Sequence, residues 1–259
     1  AFYLPQYHPF PENDEWWGRN FTEWTNVTRA KSQFVGHYQP HLPLDLGFYD
    51  LRIPDVMRQQ VEMAKSFGIN GFCFYYYWFG GKRLLEKPLD MFLEHKEWNI
   101  DFCMCWANEN WTRRWDGQEK DVLIAQKHSP EDDIAFIDDI AKYILDPRYI
   151  KVDGKPMVII YQPQIFPEIK ATVKRWREHA KNKYNIDIYL TMVQTFGKYD
   201  PSEFDFDAAI EFPPHNVVPD LVTNIETNVE FIGTIHDAKS LVKISKNKLS
   251  NVNYELFRG

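Results

Sequence analysis

A chain of 259 residues and 30.9 kDa makes one large domain or two small ones, long enough to bury a substantial core. Its formal net charge of −7 argues against the basic patch that nucleic acid or an anionic membrane surface needs. With 44% hydrophobic and 26% charged residues and a mean hydropathy of −0.49, it reads as globular rather than disordered, and its longest apolar run, 71–81, is too short to span a bilayer.

Aromatic content departs from the average. Phe 19, Tyr 14 and Trp 9 make 16% of the chain aromatic. Tyr and Trp carry polar groups that need partners, so the enrichment suits a cleft that stacks on flat apolar faces such as those of sugars. Cys73, Cys103 and Cys105 all lie in apolar runs and read as reduced core thiols, with no zinc spacing. No charged n-region or apolar h-region opens the chain. The expected location is therefore cytoplasmic.

In chain order the predicted elements alternate. A short buried strand covers 1–4, and residues 9–50, rich in Pro, Gly, Asn and Trp, form a long loop over the mouth of the fold. Pro54 opens a helix whose inner face is Met57, Val61 and Ala64, and Gly68 closes it. A strand over 69–78 and a short helix over 88–95 follow, then a strand over 101–107. Ser129 caps a helix marked by Ile137, Ile140, Ala141 and Ile144. A strand over 156–161, a helix face of Ile169, Val173, Trp176 and Ala180, and strands over 188–193 and 208–212 complete the count at six. Strands apolar on both faces that alternate with amphipathic helices make a parallel sheet covered by helices. No GxGxxG or P-loop marks a doubly wound sheet, and no cofactor is expected. Polar and aromatic residues instead gather at the carboxyl ends of the strands, where a barrel keeps its site.

Those ends supply the candidate site. Tyr3, Gln6 and His8 follow the first strand, Tyr76, Tyr77 and Trp78 close the second, and Asn108, Glu109, Trp111 and Arg113 follow the third, with Arg114, Trp115 and Asp116 beyond. Tyr161 and Gln162 end the fourth, Gln194 ends the fifth, and Glu211 with Pro213, Pro214 and His215 ends the sixth. Glycoside hydrolysis needs two carboxyl groups. Glu109 and Glu211, on the third and sixth strands, are the expected pair, with Glu23 and Asp116 in reserve. Trp16 and Trp17, close to Trp24, read as a lid or subsite platform. His37 and His41 lack a third ligand, so no metal site is expected.

The segments AFYLPQYHPFPENDEWWGRNFTEWTNV (1–27), GFCFYYYWFGGKRLLEKP (71–88) and CWANENWTRRWDG (105–117) resemble the WbsX family of polysaccharide-biosynthesis proteins, also called glycoside hydrolase family 99-like domains. The resemblance covers nearly the whole chain. It implies a (β/α)8 barrel found in bacterial O-antigen and capsule gene clusters, with an oligosaccharide or polysaccharide as substrate. The related family 99 enzymes are retaining endo-α-mannosidases that use the sugar's own 2-hydroxyl, assisted by two carboxylates. The family's late segment, like Asn-Glu-Trp-x-Glu-Gly, has no counterpart here, so its glutamates are not carried onto any residue. With six strands counted, one single barrel domain over 1–259, lacking its last one or two βα units, is the expected fold. The basic stretch of Lys239, Lys243, Lys246, Lys248 and Arg258 is expected to lie as a peripheral helix over the gap.

Two other functions compete with a glycan-processing barrel. A nucleotide-sugar glycosyltransferase is suggested by the family's older naming and by Asp205-Phe206-Asp207, although that motif precedes the sixth strand, at the end of the barrel away from the mouth. A non-catalytic carbohydrate-binding remnant is suggested by the missing segment.

Overall fold

The structure, a computed structural model, describes all residues except 114–117, 196, 198, 214, 216, 230, 248–251 and 259, and the side chains of 118–120 and 245–247. Its frame is seven parallel strands in chain order: β1 (Phe2–Tyr3), β2 (Gly71–Phe79), β4 (Asp101–Trp106), β8 (Lys155–Ile160), β9 (Tyr189–Gln194), β10 (Ala208–Glu211) and β11 (Glu255–Phe257). Helices α3 (Pro54–Ser66), α4 (Lys87–Glu94), α5 (Pro130–Ile144), α6 (Ile169–Tyr184) and α7 (Ala238–Asn247) fall between them. The local signals act where expected. Pro54 starts α3 at its first turn, the Ser129 hydroxyl accepts the Asp132 amide at the head of α5, and Asn185 ends α6 in the left-handed conformation.

The sheet curls into an incomplete (β/α)8 barrel. The ring of Phe2, on β1, meets that of Phe212, just past β10, with centroids 4.9 Å apart, so the inner faces of distant strands touch. Among the described residues no strand joins β11 back to β1. The six expected strands are all present. The seventh, β11, corrects the expectation of a peripheral helix reaching to Arg258 over the gap: Ala208, Ala209 and Ile210 pair with Glu255, Leu256 and Phe257. Helix α7 therefore takes a βα position between β10 and β11 in sequence; Lys248 and the Lys246 side chain lie outside the described residues.

The pleat of β2 splits its aromatic run. Phe72, Phe74, Tyr76 and Trp78 face the helices: the Phe74 ring meets Phe92 of α4, the Tyr76 hydroxyl bonds to Asp139 of α5, and the Trp78 indole donates to Asp132 at 2.9 Å. Cys73, Tyr75 and Tyr77 face inward, with the free, buried thiols Cys103 and Cys105 beside them on β4. The layer between sheet and helices is the denser core. Trp106 stacks on Phe136 at 4.4 Å and lies 6.1 Å from Trp176, and all three are buried. Each large side chain buried there contributes about 1.5–3 kcal/mol, so this layer holds the sheet.

Five elements outside the expected pattern build the mouth. Residues 9–50, read as loop, contain α1 (Pro11–Trp17) and α2 (Glu23–Arg29). A short strand β3 (Lys82–Leu84) folds back on β2, and β5 (Trp111–Arg113) pairs with β6 (Gln118–Ile124) in a hairpin beyond β4. At the opposite end of the barrel β7 (Lys151–Val152) pairs with β8.

Candidate active site

The mouth cleft is built from the segments that follow β1 and β4. Thr22 caps α2, its hydroxyl accepting the Trp24 amide at 3.2 Å, while the Thr25 hydroxyl accepts the Thr22 amide in return. This turn presents Phe21 and Glu23 beside Trp17, whose ring stacks on Phe21. Trp111 forms the facing wall. Its indole meets Tyr77, Phe79, Trp16 and Phe10 edge-on at 5.0–6.4 Å, an apolar anchor that fixes the hairpin. Between the walls lies a cavity of about 270 Å³ lined by Gln6, Asn13, Trp17, Glu23, Glu109 and Trp111, among others.

Glu109 is held from below. The buried Asn108 amide clamps the backbone of Gln162 from both sides, donating to its carbonyl and accepting from its N–H, each at 2.8 Å. That clamp ties the end of β4 to the end of β8 and aims the Gln162 side-chain amide at the Glu109 carboxylate, 2.8 Å away. Next to it, Gln6 donates to the Tyr77 hydroxyl at 2.8 Å. Burial raises the pKa of Tyr75 and Tyr77, so both phenols stay protonated at neutral pH. Burial also raises the Glu23 carboxyl, against the weaker lowering by the Asn26 amide, which donates to it at 3.3 Å.

His8 sits deeper, 1% exposed, and neither ring nitrogen makes a hydrogen bond of normal geometry. Desolvation lowers its pKa to about 4, outweighing the upward pull of Asp50 and the Pro5 carbonyl. Its imidazole is therefore neutral at pH 7.

The structure brings Gln6, Trp17, Tyr77, Glu109 and Trp111 together, with Trp16 behind the hairpin. Arg113 stands beside them. It pairs with Asp121 at 2.9 Å, donates to the Trp16 carbonyl and places its guanidinium over the Trp17 ring. Tyr161 turns inward against Phe212, and its hydroxyl lies 3.5 Å from the His215 Nε2. Tyr3, Tyr76 and Trp78 are not at the mouth: the pleat aims them at the helices, where Tyr3 bonds to Gln60 of α3. Asn108 holds backbone rather than facing the cleft. Arg114, Trp115, Asp116 and Pro214 lie outside the described residues.

The expected pair, Glu109 and Glu211, is divided by the pleat. Glu109 is in phase with the inward Cys103, Cys105 and Ala107, whereas Glu211 is in register with Gln194 and one residue out of phase with the inward Phe212. Gln194 spends its amide on both backbone groups of Tyr199, and Glu211 accepts from Arg258 at 3.0 Å. Sequence reasoning named Gln162 only as a strand-end residue without its partner, missed Asn13 and Phe21 as site residues and held Glu23 only in reserve. For Gln162 the signal was its place one residue past Tyr161 at a strand end.

The model of the family described as Glycosyltransferase WbsX matches residues 1–257, and the chain belongs to that family. A protein described as uncharacterised, WxcX of Xanthomonas campestris pv. campestris (strains B100 and ATCC 33913), is 49% identical over 245 residues, 94% of this chain. The chain spans about a third (35%) of those relatives' length. Among solved structures, the GH99 endo-alpha-mannosidase from Bacteroides thetaiotaomicron is similar with a TM-score of 0.51 at 15% identity, over 82% of this chain and 60% of that one. The same enzyme in complex with BIS-TRIS-propane gives a TM-score of 0.50 at 14% identity, over 82% and 57%. The fold is thus glycoside hydrolase-like. Among the described residues no helix is long and apolar enough to cross a membrane.

Proposed function

We propose that residues 1–259 form one barrel domain that processes a glycan of bacterial surface polysaccharide at this mouth, on α-linked mannose-type sugars, by a retaining, carboxylate-assisted mechanism. The observation that carries the reading is the cavity itself. Trp17, Phe21 and Trp111 wall it with flat apolar faces, Gln6, Asn13 and Asn110 offer amides, and Glu109 and Glu23 offer carboxyl groups. Aromatic walls with a few convergent polar groups are what a sugar ring requires. Glu109, oriented by Gln162, is the carboxylate that meets the reacting sugar.

The nucleotide-sugar alternative drew on the family's naming and on Asp205-Phe206-Asp207. Asp207 accepts from Arg177 at 2.8 Å and from the Leu190 amide at 2.7 Å, and Asp205 closes a turn in the left-handed conformation at the foot of β10. The Asp207 carboxylate has structural work and the Asp205 carboxylate lies 3.8 Å from the Lys170 ammonium, both at the end of the barrel away from the cleft, which supports the glycan-processing reading over the transferase one.

The test is direct. The chain is incubated separately with α-linked manno-oligosaccharides and with nucleotide-sugars plus Mn²⁺, and products are followed by proton NMR. Cleavage of the oligosaccharide with retained anomeric configuration is expected, and Glu109→Gln should abolish it. Transfer from a nucleotide-sugar in place of cleavage would reject the reading.

A further inference from the structure

The cavity lies between two walls that the backbone does not join. The β5–β6 hairpin is a two-stranded sheet of its own, α1 is a seven-residue helix, and among the described residues no backbone hydrogen bond runs between them. Trp111 meets Phe10 and Trp16 edge-on at 6.4 and 5.9 Å. The burial that favours such contacts is non-directional, so it does not by itself fix where α1 sits. The directional tie is Arg113. It stands on β5 and holds Asp121 of β6 through Nε at 2.9 Å, so its guanidinium is anchored in the hairpin. From there Nη1 donates to the carbonyl of Trp16 at 3.3 Å, and the guanidinium carbon lies 5.6 Å from the centre of the Trp17 ring. Trp16 is in the last turn of α1, where carbonyls lack intrahelical partners and a cation is favoured. The first turn of α1 is held separately, by Lys82 on Glu12 at 2.6 Å. Asn13 and Trp17 of α1 line the cavity, whereas Arg113 and Asp121 do not.

We propose that Arg113 is a positioning residue: it sets the separation of α1 from the hairpin, and so the fit of a pyranose ring between Trp17 and Trp111. For its ligand the assignment rests on the glycan-processing reading above; for its geometry it does not. A guanidinium suits the part because its planar fork serves a carboxylate, a carbonyl and a ring at once, which an ammonium on a flexible stem does not. The dependence on spacing is steep. A gap of about 0.5–1 Å between packed surfaces forfeits roughly a quarter to a half of their dispersion attraction, and a sugar ring loses that share on one face when one wall drifts so far. The Arg113 and Asp121 side chains are 31% and 55% exposed, so the pair acts on fit rather than on global stability.

The test compares wild type with Arg113→Lys, Arg113→Met, Asp121→Asn, Trp17→Leu and the double variant of Arg113→Met with Trp17→Leu. Calorimetric titration with α-linked mannotriose reads affinity, acrylamide quenching of tryptophan fluorescence reads exposure of the Trp17 ring, and thermal melting reads stability. Arg113→Met is expected to weaken mannotriose binding about tenfold and Asp121→Asn about threefold, with Arg113→Lys between them. All three should melt within a few degrees of wild type. In the Trp17→Leu background, Arg113→Met should cost no more than about twofold further, because effects of residues that act through one another do not add. Quenching should rise in Arg113→Met, and the rise should vanish when Trp17 is replaced. A loss from Arg113→Met that persists in full in the Trp17→Leu background would mean that the guanidinium binds the glycan itself, and would overturn the positioning role. So would unchanged affinity and quenching in Arg113→Met, or affinity lost only in step with a melting temperature lowered by about ten degrees or more. A wild-type chain that binds no mannotriose rejects the glycan reading alone. The quenching result then decides the positioning role by itself: a rise that depends on Trp17 upholds it, and no rise overturns it.

Discussion

The two halves of the barrel mouth end their strands in similar residues and use them differently. On the β1–β4 side, the segments after the strands fold into α1, α2 and the β5–β6 hairpin, and their amides, rings and carboxyl groups face a shared cavity. On the β9–β11 side, Gln194 closes on the backbone of Tyr199 and Glu211 closes on Arg258 of the adjoining chain end. A polar group at a strand end is therefore a site candidate only when its pleat phase is inward and its hydrogen bonds are not already taken by its own backbone. On the proposed reading the first half carries the chemistry, while these contacts of the second fasten it.

The largest expected effect tests the first assignment. Glu109→Gln keeps the shape and the place of the Gln162 amide but removes the charge. Turnover of an α-linked manno-oligosaccharide should fall by about 10²–10⁴, with thermal stability unchanged to within about 1 kcal/mol. A smaller loss than that of Glu211→Gln would invert the comparison.

His8 gives the next effect, through stability. Its pKa is about 4 in the folded state and near 6.5 when exposed. The unfolded chain therefore takes up the proton first as pH falls, and the folded state loses up to roughly 3 kcal/mol between pH 6.5 and 4. Burial raises Glu23 and Asp132, which act in the opposite sense over part of that window. The informative quantity is thus the slope difference between wild type and His8→Gln in urea melts. The variant's stability should be flatter over that window. Asp138 and Asp146, held down to about 2 by their paired cations, lose their contribution only at still lower pH. An identical slope would mean that His8 is solvated.

Sequence neighbours on β2 offer a third contrast. Tyr76→Phe removes the hydroxyl bonded to Asp139, a part-buried bond to a charged group worth about 1–2 kcal/mol, and should lower the melting temperature without touching glycan affinity. Tyr77→Phe removes the partner of Gln6 and should weaken mannotriose binding several-fold, with less than about 1 kcal/mol of stability lost. Calorimetric titration and thermal melts on both variants check the pair.

This contrast also shows what the sequence carried. The six strands were legible because Ile69–Trp78, Asp101–Ala107 and the others are apolar on both faces, and the helices between them have clear caps. Strand β11 was not legible, because three residues with Glu255 at their head carry no period. Helices α1 and α2 hid among Pro, Asn and Gly, and the turn chemistry of Pro11 and Thr22 was the available signal. At the site, the strand ends were legible as a rim. The facing of each residue was not applied, although a period of two along 208–212 separates Glu211 from Phe212 in the sequence itself. The partnership of Gln162 with Glu109 spans 53 residues and depends on adjacent strands β4 and β8 ending level, which only the register supplies.

The smallest effect is expected at Glu211, and it is the sharpest test of the division. Its carboxylate meets Arg258 at 3.0 Å, with the arginine side chain half exposed. An ion pair of that kind contributes about 0–1 kcal/mol, because solvent screens it and holding a long side chain costs entropy. Glu211→Gln keeps an oxygen for Arg258 to donate to, so the melting temperature should move by no more than a few degrees. Arg258→Met should match it, and the double variant should show a coupling energy below about 1 kcal/mol. Mannotriose affinity should stay within about twofold of wild type in all three, because the pair fastens β10 to the end of β11 and its pleat phase points away from Phe212 and Tyr161. A tenfold loss of affinity in Glu211→Gln, with stability preserved, would mean that the glycan crosses the lumen from Trp111 to Glu211 and that the two halves of the mouth form one site.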